Sequence, residues 1–153
     1  MFQNRQSVSH SLAFRLLVRT TGKTARTVKK ILVVDDDPAI RDVVVDILEM
    51  SDYKVKTASN GAEALDQIRS EQPAAVLLDL MMPVMDGWEF LRRCRRGPPC
   101  AAVPVAIMSA AHDAASAASR LGAQAYLAKP FEIDAVLDVV DRLSTLGEGG
   151  AEL

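Results

Sequence analysis

Two patterns of apolar residues alternate along the chain from Lys30 onward. Short runs rich in valine, isoleucine and leucine predict buried strands, whereas apolar residues that recur every three or four positions predict amphipathic helices. A helix-like segment follows each predicted strand; the strands are KILVVDDD, YKVKTAS, AAVLLD, VPVAIMS and AQAYLA. Five strand–helix units with buried, mostly non-alternating strands predict an α/β, doubly wound fold, in which helices cover both faces of a parallel sheet.

Residues that start and stop helices separate these segments. Asp37 followed by Pro38 predicts the N-cap and first turn of the first helix, and Asp86-Gly87 predicts the start of the third. Gly97-Pro98-Pro99 and Gly122 predict the ends of the third and fourth helices. We expect the first helix to bury one face, made of Ile40, Val43, Val44, Ile47 and Leu48.

Polar side chains stand where four of the five predicted strands end. Asp35 and Asp36 end the first strand, Asp79 ends the third, Ser109 ends the fourth, and Lys129 follows the fifth. The carboxyl ends of parallel strands meet at one edge of a sheet, so these side chains are expected to converge there. Convergence on four strands is hard to obtain by accident, and it predicts a functional site.

Three converging carboxylates repel one another and stay ionised only beside a cation. Because oxygen is the ligand atom that each carboxylate offers, the site suits a hard cation, and room for water favours Mg²⁺ over Ca²⁺. A metal, a lysine and a hydroxyl beside a fixed carboxylate are the equipment of phosphoryl transfer. We therefore interpret Asp79, which ends an apolar strand, as the nucleophile.

These motifs resemble the response-regulator receiver domain of two-component signalling. The resemblance covers about residues 29–145 and rests on ILVVDDDP, VLLDLMMPVMDGWEF, VAIMSA and YLAKPF, in the family's order and spacing. It implies a flavodoxin-like (βα)5 fold with strand order 2-1-3-4-5. It also implies that the receiver domain is residues 29–146, between a basic N-terminal extension (1–28), interpreted as disordered, and a flexible tail (147–153).

The resemblance implies a role for each polar residue at the sheet edge. Asp79 would accept a phosphoryl group from the phosphohistidine of a histidine kinase or phosphotransfer protein. Ser109 and Lys129 would contact the acyl phosphate. Mg²⁺ would be bound by Asp79, by Asp36 directly, by Asp35 chiefly through water, and by the backbone carbonyl of Met81.

The resemblance also implies a conformational switch. Tyr126, three residues before Lys129, matches the family's switch aromatic, and the Lys129-Pro130 bond matches its cis peptide. If the Ser109 hydroxyl moves inward toward the acyl phosphate, it vacates space that the Tyr126 ring can fill. The face made by the fourth and fifth strands and helices would then change its affinity for a downstream protein target.

Three alternatives compete with a signalling receiver. A phosphatase with an aspartyl nucleophile usually has a second acid two residues later, but Met81 stands there and cannot transfer a proton. A flavin mononucleotide site needs phosphate-binding donors after the first strand, where this chain has Asp35, Asp36 and Asp37. A receiver that is never phosphorylated would not need the complete polar set.

The distribution of charge indicates which classes of partner the chain can bind. Residues 1–30 hold seven basic residues and no acid, whereas residues 31–153 hold eleven basic and twenty acidic residues. The acidic domain argues against direct nucleic-acid binding. The basic arm is interpreted as a disordered leader, or a start codon assigned too early, rather than a contact for an anionic partner. The arginines of RRCRRG, at a predicted helix end, are interpreted as a solvated face.

Cysteine content and hydropathy bear on the compartment. Cys94 and Cys100 lack metal-site spacing, and so few thiols indicate a reducing cytoplasm, with no redox role for either and an exposed Cys100. No apolar run approaches the roughly 20 residues of a membrane span, and the patch LAFRLLV lacks the cleavage site of a signal peptide. We expect a cytoplasmic protein without membrane attachment.

The remaining expectations concern output and phosphate lifetime. No DNA-binding or catalytic output domain follows Leu146, so a complete chain would act by binding a partner or by relay, as a monomer or a phosphorylation-dependent dimer. The domain is interpreted as a signalling module that catalyses only its own phosphorylation and slow dephosphorylation. Met81 and Ala111 occupy the positions that tune the lifetime in the family, and neither can orient an attacking water.

Overall fold

Five strands and five α-helices alternate along the part of the chain that the computed structural model describes, residues 27–110 and 114–146. One 3₁₀ turn precedes the fourth strand. The elements, in chain order, are β1 (Lys30–Val34), α1 (Pro38–Glu49), β2 (Lys54–Ala58), α2 (Gly61–Ser70), β3 (Ala75–Asp79), α3 (Gly87–Cys94), the 3₁₀ turn (Cys100–Ala102), β4 (Val105–Ala110), α4 (Ala114–Leu121), β5 (Ala125–Lys129) and α5 (Ile133–Leu146).

The strands form one parallel sheet in the order β2-β1-β3-β4-β5. The predicted flavodoxin-like architecture is therefore confirmed. The predicted strand ends differ slightly, because β4 continues to Ala110 and β5 includes Lys129, which is paired with it. The switch in strand order lies between β1 and β3, and this is where doubly wound sheets place their sites.

The sheet separates two apolar layers, because successive side chains of a strand point to opposite faces. One layer joins alternate residues of β1, β3 and β4 to α2, α3 and α4; it includes Leu32, Val34, Leu78, Ile107, Phe90 and Ala117. The other joins the intervening residues to α1 and α5; it includes Ile31, Val33, Leu77, Met108, Val44 and Val140. The central strand β3 is buried along its whole length, so the position of its last residue is firmly defined.

The predicted helix starts are confirmed. The side chain of Asp37 accepts a hydrogen bond from the backbone N–H of Ala39, and Pro38 begins α1. Asp86 likewise caps α3, accepting from the N–H of Glu89 at 2.8 Å. The predicted apolar face of α1 is wrong at one residue, because Val43 is 54% exposed. The stripe that faces the sheet is narrower than the helical pattern indicated, with Val44 and Leu48 buried.

The two cysteines contradict the expectation of reduced thiols and of an exposed Cys100. Cys94 and Cys100 form a disulfide, with their Cα atoms 4.9 Å apart, and both residues are buried. The chain turns back at the end of α3, and the 3₁₀ turn then returns Cys100 to the helix that holds Cys94. Cysteine content therefore gives no argument for a reducing compartment.

Several expectations lie outside the described residues. They concern the extension before residue 27, the tail 147–153, and Ala111. Within residues 27–110 and 114–146, no helix is long and apolar enough to cross a membrane.

Candidate functional site

Three carboxylates meet at the carboxyl end of the sheet, as the strand ends predicted. Asp35 and Asp36 follow β1, and Asp79 ends the neighbouring β3, where Val34 is paired with Leu78. One ligand oxygen from each of the three acids lies within 4.8 Å of the others. Asp35 and Asp79 are buried, whereas Asp36 is exposed. The cluster thus has a buried base and one side that is open to solvent.

Lys129 brings a positive charge to this cluster from the far edge of the sheet. Its Nζ lies 2.9 Å from Oδ2 of Asp35 and 3.5 Å from Oδ1 of Asp79. Partial burial alone lowers the pKa of a lysine, but the hydrogen bond and charge of Asp35, with those of Asp79, raise the pKa of Lys129 overall. Lys129 therefore stays protonated and links the two buried carboxylates.

The electrostatics of Asp79 differ from those of an ordinary surface aspartate. Burial, and then the negative charge of Asp35, raise the pKa of the Asp79 carboxyl. The Lys129 ammonium and the Met81 N–H, 3.4 Å from Oδ1, act in the opposite direction without cancelling the shift. Burial and repulsion by Asp35 therefore disfavour the ionised form of Asp79, and a bound cation would offset both effects.

Backbone contacts hold Asp35 from two sides. Its Oδ1 accepts a hydrogen bond from the N–H of Asp37 at 2.9 Å. Its carbonyl accepts one from the guanidinium of Arg41 at 2.7 Å. Sequence analysis missed Arg41, whose only signal is its place one helical turn after Asp37. Asp37 therefore contributes to two features at once, since its side chain caps α1 and its N–H orients the neighbouring carboxylate.

Gly87, the first residue of α3, packs against the backbone of Asp79 and Leu80. A Cβ on Gly87 would lie 2.4 Å from the Asp79 carbonyl oxygen and 2.8 Å from Cα of Leu80. The sequence indicated only a turn here, whereas the structure shows that glycine is needed for this close approach. Val84, in the loop between Asp79 and Gly87, has a φ of 69°, which is unusual for a β-branched residue, and its side chain is 87% exposed.

Ser109 lies in β4 and Tyr126 lies in β5, and neither belongs to the three-carboxylate group. Ser109 follows Met108, the residue paired with Asp79, and is itself paired with Ala128. Tyr126 precedes Ala128 by two residues, so it shares a face of the sheet with Ser109. The Tyr126 side chain is half-exposed. The Lys129-Pro130 bond is cis, as the resemblance implied.

The donor set fits a hard divalent cation. Within the described ranges, Asp35, Asp36 and Asp79 are the one group of three or more potential ligand side chains. All of the ligand atoms are carboxylate oxygens, and such ligands suit Mg²⁺, which keeps several waters. The exposed side chain of Asp36 leaves an open approach for those waters and for a reactant.

Comparison with known proteins identifies the family. The sequence matches the model of the response regulator receiver domain over residues 31–141. The chain belongs to the response-regulator receiver family. Among relatives of this receiver, the response regulator MprA of Mycolicibacterium vanbaalenii is 40% identical over 110 residues, which are 71% of this chain and 47% of MprA.

Solved structures agree with this assignment. A putative response regulator from Chloroflexus aurantiacus superposes on the receiver with a TM-score of 0.73 at 31% identity, covering 78% of this chain and 99% of the other. The chemotaxis response regulator CheY4 of Vibrio cholerae gives a TM-score of 0.70 at 30% identity, covering 76% of this chain and 99% of the other. The chain is thus a receiver domain of two-component signalling, and it spans about half the length of MprA.

Proposed function

We propose that this receiver is phosphorylated on Asp79 by the phosphohistidine of a histidine kinase or phosphotransfer protein, in a two-component system or phosphorelay. One observation carries the proposal. Asp79 ends the buried central strand inside the only three-carboxylate group of the described residues, with Lys129 Nζ 3.5 Å from its Oδ1. A carboxylate held in this way is oriented before the reactant arrives, which is how enzymes and receivers alike lower the cost of an in-line attack.

The proposed phosphoryl transfer forms one bond and breaks one bond, and charged and polar groups stabilise the transferred oxygens. A carboxylate oxygen of Asp79 forms a bond to phosphorus, the phosphorus–nitrogen bond of phosphohistidine breaks, and the imidazole leaves with that electron pair. Lys129 Nζ and the Ser109 hydroxyl donate hydrogen bonds to the transferred phosphoryl oxygens. Bound Mg²⁺ would neutralise the charge on those oxygens. Its ligands would be Asp79, Asp36, Asp35 chiefly through water, and the Met81 carbonyl.

The proposed output is a change at the face formed by β4, α4, β5 and α5. Formation of the acyl phosphate adds charge and acceptor oxygens next to Ser109. The Ser109 hydroxyl then moves toward the phosphoryl group, and the half-exposed Tyr126 ring turns inward into the space it leaves. The same Tyr126 rotamer with and without phosphate in solution would contradict this switch.

The biological setting belongs to the same proposal. The domain, residues 29–146, is a cytoplasmic signalling module that catalyses only its own phosphorylation and slow dephosphorylation. It passes the signal to a downstream protein, or onward in a relay, as a monomer or a phosphorylation-dependent dimer. It makes no direct contact with nucleic acid or membrane. The acidic balance of residues 31–153, eleven basic against twenty acidic residues, supports this choice of partner.

Intact-mass spectrometry after incubation with acetyl phosphate tests the chemistry. We expect one phosphoryl adduct that requires Mg²⁺ and is lost in the Asp79→Asn variant. Asp86→Asn is the matched control, because Asp86 is an exposed helix cap on the next loop and asparagine also caps helices well. No adduct on folded protein that binds Mg²⁺ would overturn the proposal in favour of a docking module that acts without phosphate.

The lifetime of the acyl phosphate is a separate prediction. Met81 lies two residues after the phosphoacceptor, is 76% exposed, and has no polar group to orient an attacking water. We expect slow hydrolysis in the wild type and faster hydrolysis in Met81→Asn, followed as decay of the adduct mass after acetyl phosphate is removed. Substitution of a polar residue for Ala111 tests the second tuning position. Unchanged decay in both variants would refute the interpretation of these positions.

A further inference from the structure

A groove runs between the last turns of α2 and α3 and the loop that leads to the 3₁₀ turn. Its volume is about 620 Å³, which is within the range of pockets that hold ligands. Leu65 and Ile68 lie at its base and are buried, Arg69, Arg93 and Arg96 contribute positive charge, and Pro98 lies in the wall formed by the loop. We call these six residues the arginine groove.

Basic residues are concentrated at this corner of an otherwise acidic domain. Residues 31–153 hold eleven basic residues, and five of them are here: Arg69, Arg92, Arg93, Arg95 and Arg96. Of the twenty acids in the same range, Asp66 and Glu89 contact these arginines, and Glu89 also lines the groove, where it offsets one of the three arginine charges. The groove is therefore a local positive region, and it would attract negatively charged groups that the rest of the domain repels.

The charges of the groove are accessible rather than locked into the core. Arg69 pairs with Asp66 at 3.3 Å, and Arg93 pairs with Glu89 at 2.8 Å, but the arginine side chains of both pairs are at least half exposed. The hydrogen bond from Arg93, and then the charges of the neighbouring arginines, lower the pKa of Glu89, so its carboxylate stays ionised. The Arg69–Asp66 pair is exposed on both sides and therefore weak, which allows a carboxylate of another molecule to replace Asp66.

The shape of the groove is set before any ligand binds. The disulfide from Cys94 to Cys100 ties the wall of the groove back to α3. Arg95, which lies behind the groove, donates hydrogen bonds to the carbonyls of Ala101 at 3.2 Å and Gly122 at 3.0 Å. The disulfide and the Arg95–Ala101 hydrogen bond both hold this wall, so it loses little conformational entropy on binding, and this favours affinity.

The groove is separate from the phosphoacceptor. Gly87, the first residue of α3, lies against the backbone of Asp79, whereas Arg93 is in the last turn of the same helix. α3 has eight residues and is therefore about 12 Å long. The side chains of the groove take no part in the phosphorylation chemistry proposed above.

We propose that the arginine groove binds an acidic segment of a partner protein, in which apolar side chains alternate with carboxylates. The carboxylates would pair with Arg69, Arg93 and Arg96, and the apolar side chains would cover the exposed Pro98 and Pro99. A nucleic acid fits less well, because its long phosphate backbone would extend beyond the groove onto an acidic domain. This interaction goes beyond the proposed phosphorylation and does not depend on it.

Fluorescence polarisation with a short labelled peptide of alternating glutamate and leucine tests the proposal on the full chain. We expect saturable binding that weakens at least about tenfold in the triple variant Arg69→Gln, Arg93→Gln, Arg96→Gln. A matched triple variant, Lys54→Gln, Lys56→Gln, Arg142→Gln, removes the same charge from exposed positions elsewhere and is expected to bind like the wild type. Backbone NMR shifts caused by the peptide should centre on residues 65–69 and 89–100.

Four results would overturn the proposal. They are no saturable binding, equal weakening in both triple variants, a single-stranded oligonucleotide that binds the groove more tightly than the peptide, and displacement of the peptide by inorganic phosphate alone at the same concentration. The groove variant is also incubated with acetyl phosphate and Mg²⁺, where we expect the wild-type adduct. This arm separates the two proposals, because loss of peptide binding with retained phosphorylation affects the groove alone.

Discussion

The carboxylate cluster and the arginine groove lie at opposite ends of α3, and they are built in opposite ways. At the cluster, the short side chains of Asp35 and Asp79 are buried and positioned by the backbone of β1 and β3, so these two carboxylates are fixed in place, and only Asp36 is exposed. At the groove, the long arginine side chains are at least half exposed, and the Asp66 carboxylate that pairs with Arg69 can be replaced by another group. Chemistry at a reacting atom needs the first arrangement, whereas recognition of a flexible partner tolerates the second.

The helix itself contributes to this difference. The N-terminus of a helix carries partial positive charge, and its C-terminus carries partial negative charge. The first residue of α3 contacts the backbone of the acidic cluster, and its last turn holds Arg92 and Arg93. Each end of α3 therefore faces charge of the sign that its dipole favours. Substitutions in each region test this difference, and the most destabilising one is expected at α3.

A glycine from each region gives the sharpest contrast. In Gly87→Ala the new methyl group would lie 2.4 Å from the Asp79 carbonyl oxygen, so the backbone must move. We expect a loss of about 3 kcal/mol in the free energy of unfolding, measured by urea denaturation, and slower phosphorylation. Gly97→Ala at the groove is the control, because nothing lies within 4 Å of its new Cβ. Equal loss in both variants would show that the close approach at Gly87 is not decisive.

Reduction of the disulfide tests the rigidity of the groove. The bridge closes a short loop, since Cys94 and Cys100 are six residues apart. We expect reductant to lower the free energy of unfolding by about 2 kcal/mol and to weaken peptide binding. Phosphorylation by acetyl phosphate should change much less. A Cys94→Ala, Cys100→Ala variant should not respond to reductant, and a response in that variant would assign the effect to another cause.

The buried charge of Asp79 gives a smaller effect that depends on pH. Without Mg²⁺, Asp79→Asn removes repulsion from Asp35 and leaves Lys129 its closer partner, so we expect a gain of about 1 kcal/mol in unfolding free energy. Because the pKa of Asp79 is raised by folding, the folded wild type takes up a proton more readily and gains stability as pH falls. The advantage of the variant should therefore shrink as pH falls from neutral toward the ordinary aspartate pKa of 3.8.

Thermal unfolding in a chelator measures this prediction. Asp86→Asn serves again as the control, since Asp86 is a helix cap outside the cluster. An advantage for Asp79→Asn that grows as pH falls would reverse the sign and contradict the raised pKa of Asp79.

The fold and the carboxylate cluster were predictable because they depend on local pattern and on one topological rule. A buried strand that ends in Asp79 can be recognised from residues 75–79 alone, and parallel pairing then places that end beside Asp35. Which carboxylate lies nearer Lys129 was not predictable. That depends on how the last residues of β1, β3 and β5 leave the sheet, and no local pattern encodes it.

The groove and the disulfide were missed for a related reason. Arg69 and Arg93 are far apart in the sequence and become neighbours only when α2 packs beside α3. The number of cysteines and their lack of metal-site spacing do not reveal that the 3₁₀ turn brings Cys100 back to α3. The predicted burial of Val43 was wrong because periodicity defines the direction of an apolar face more reliably than its width.

Val84 shows that this receiver is not as stable as its fold allows. A valine in the left-handed region costs about 1–2 kcal/mol, and its exposed side chain recovers little of that through contacts. Asparagine tolerates the same backbone conformation, so an engineer who replaced Val84 with asparagine would expect a melting temperature a few degrees higher. In natural variants, a loss of stability caused by a substitution elsewhere could be offset by replacing Val84, with no change to the carboxylates of the site.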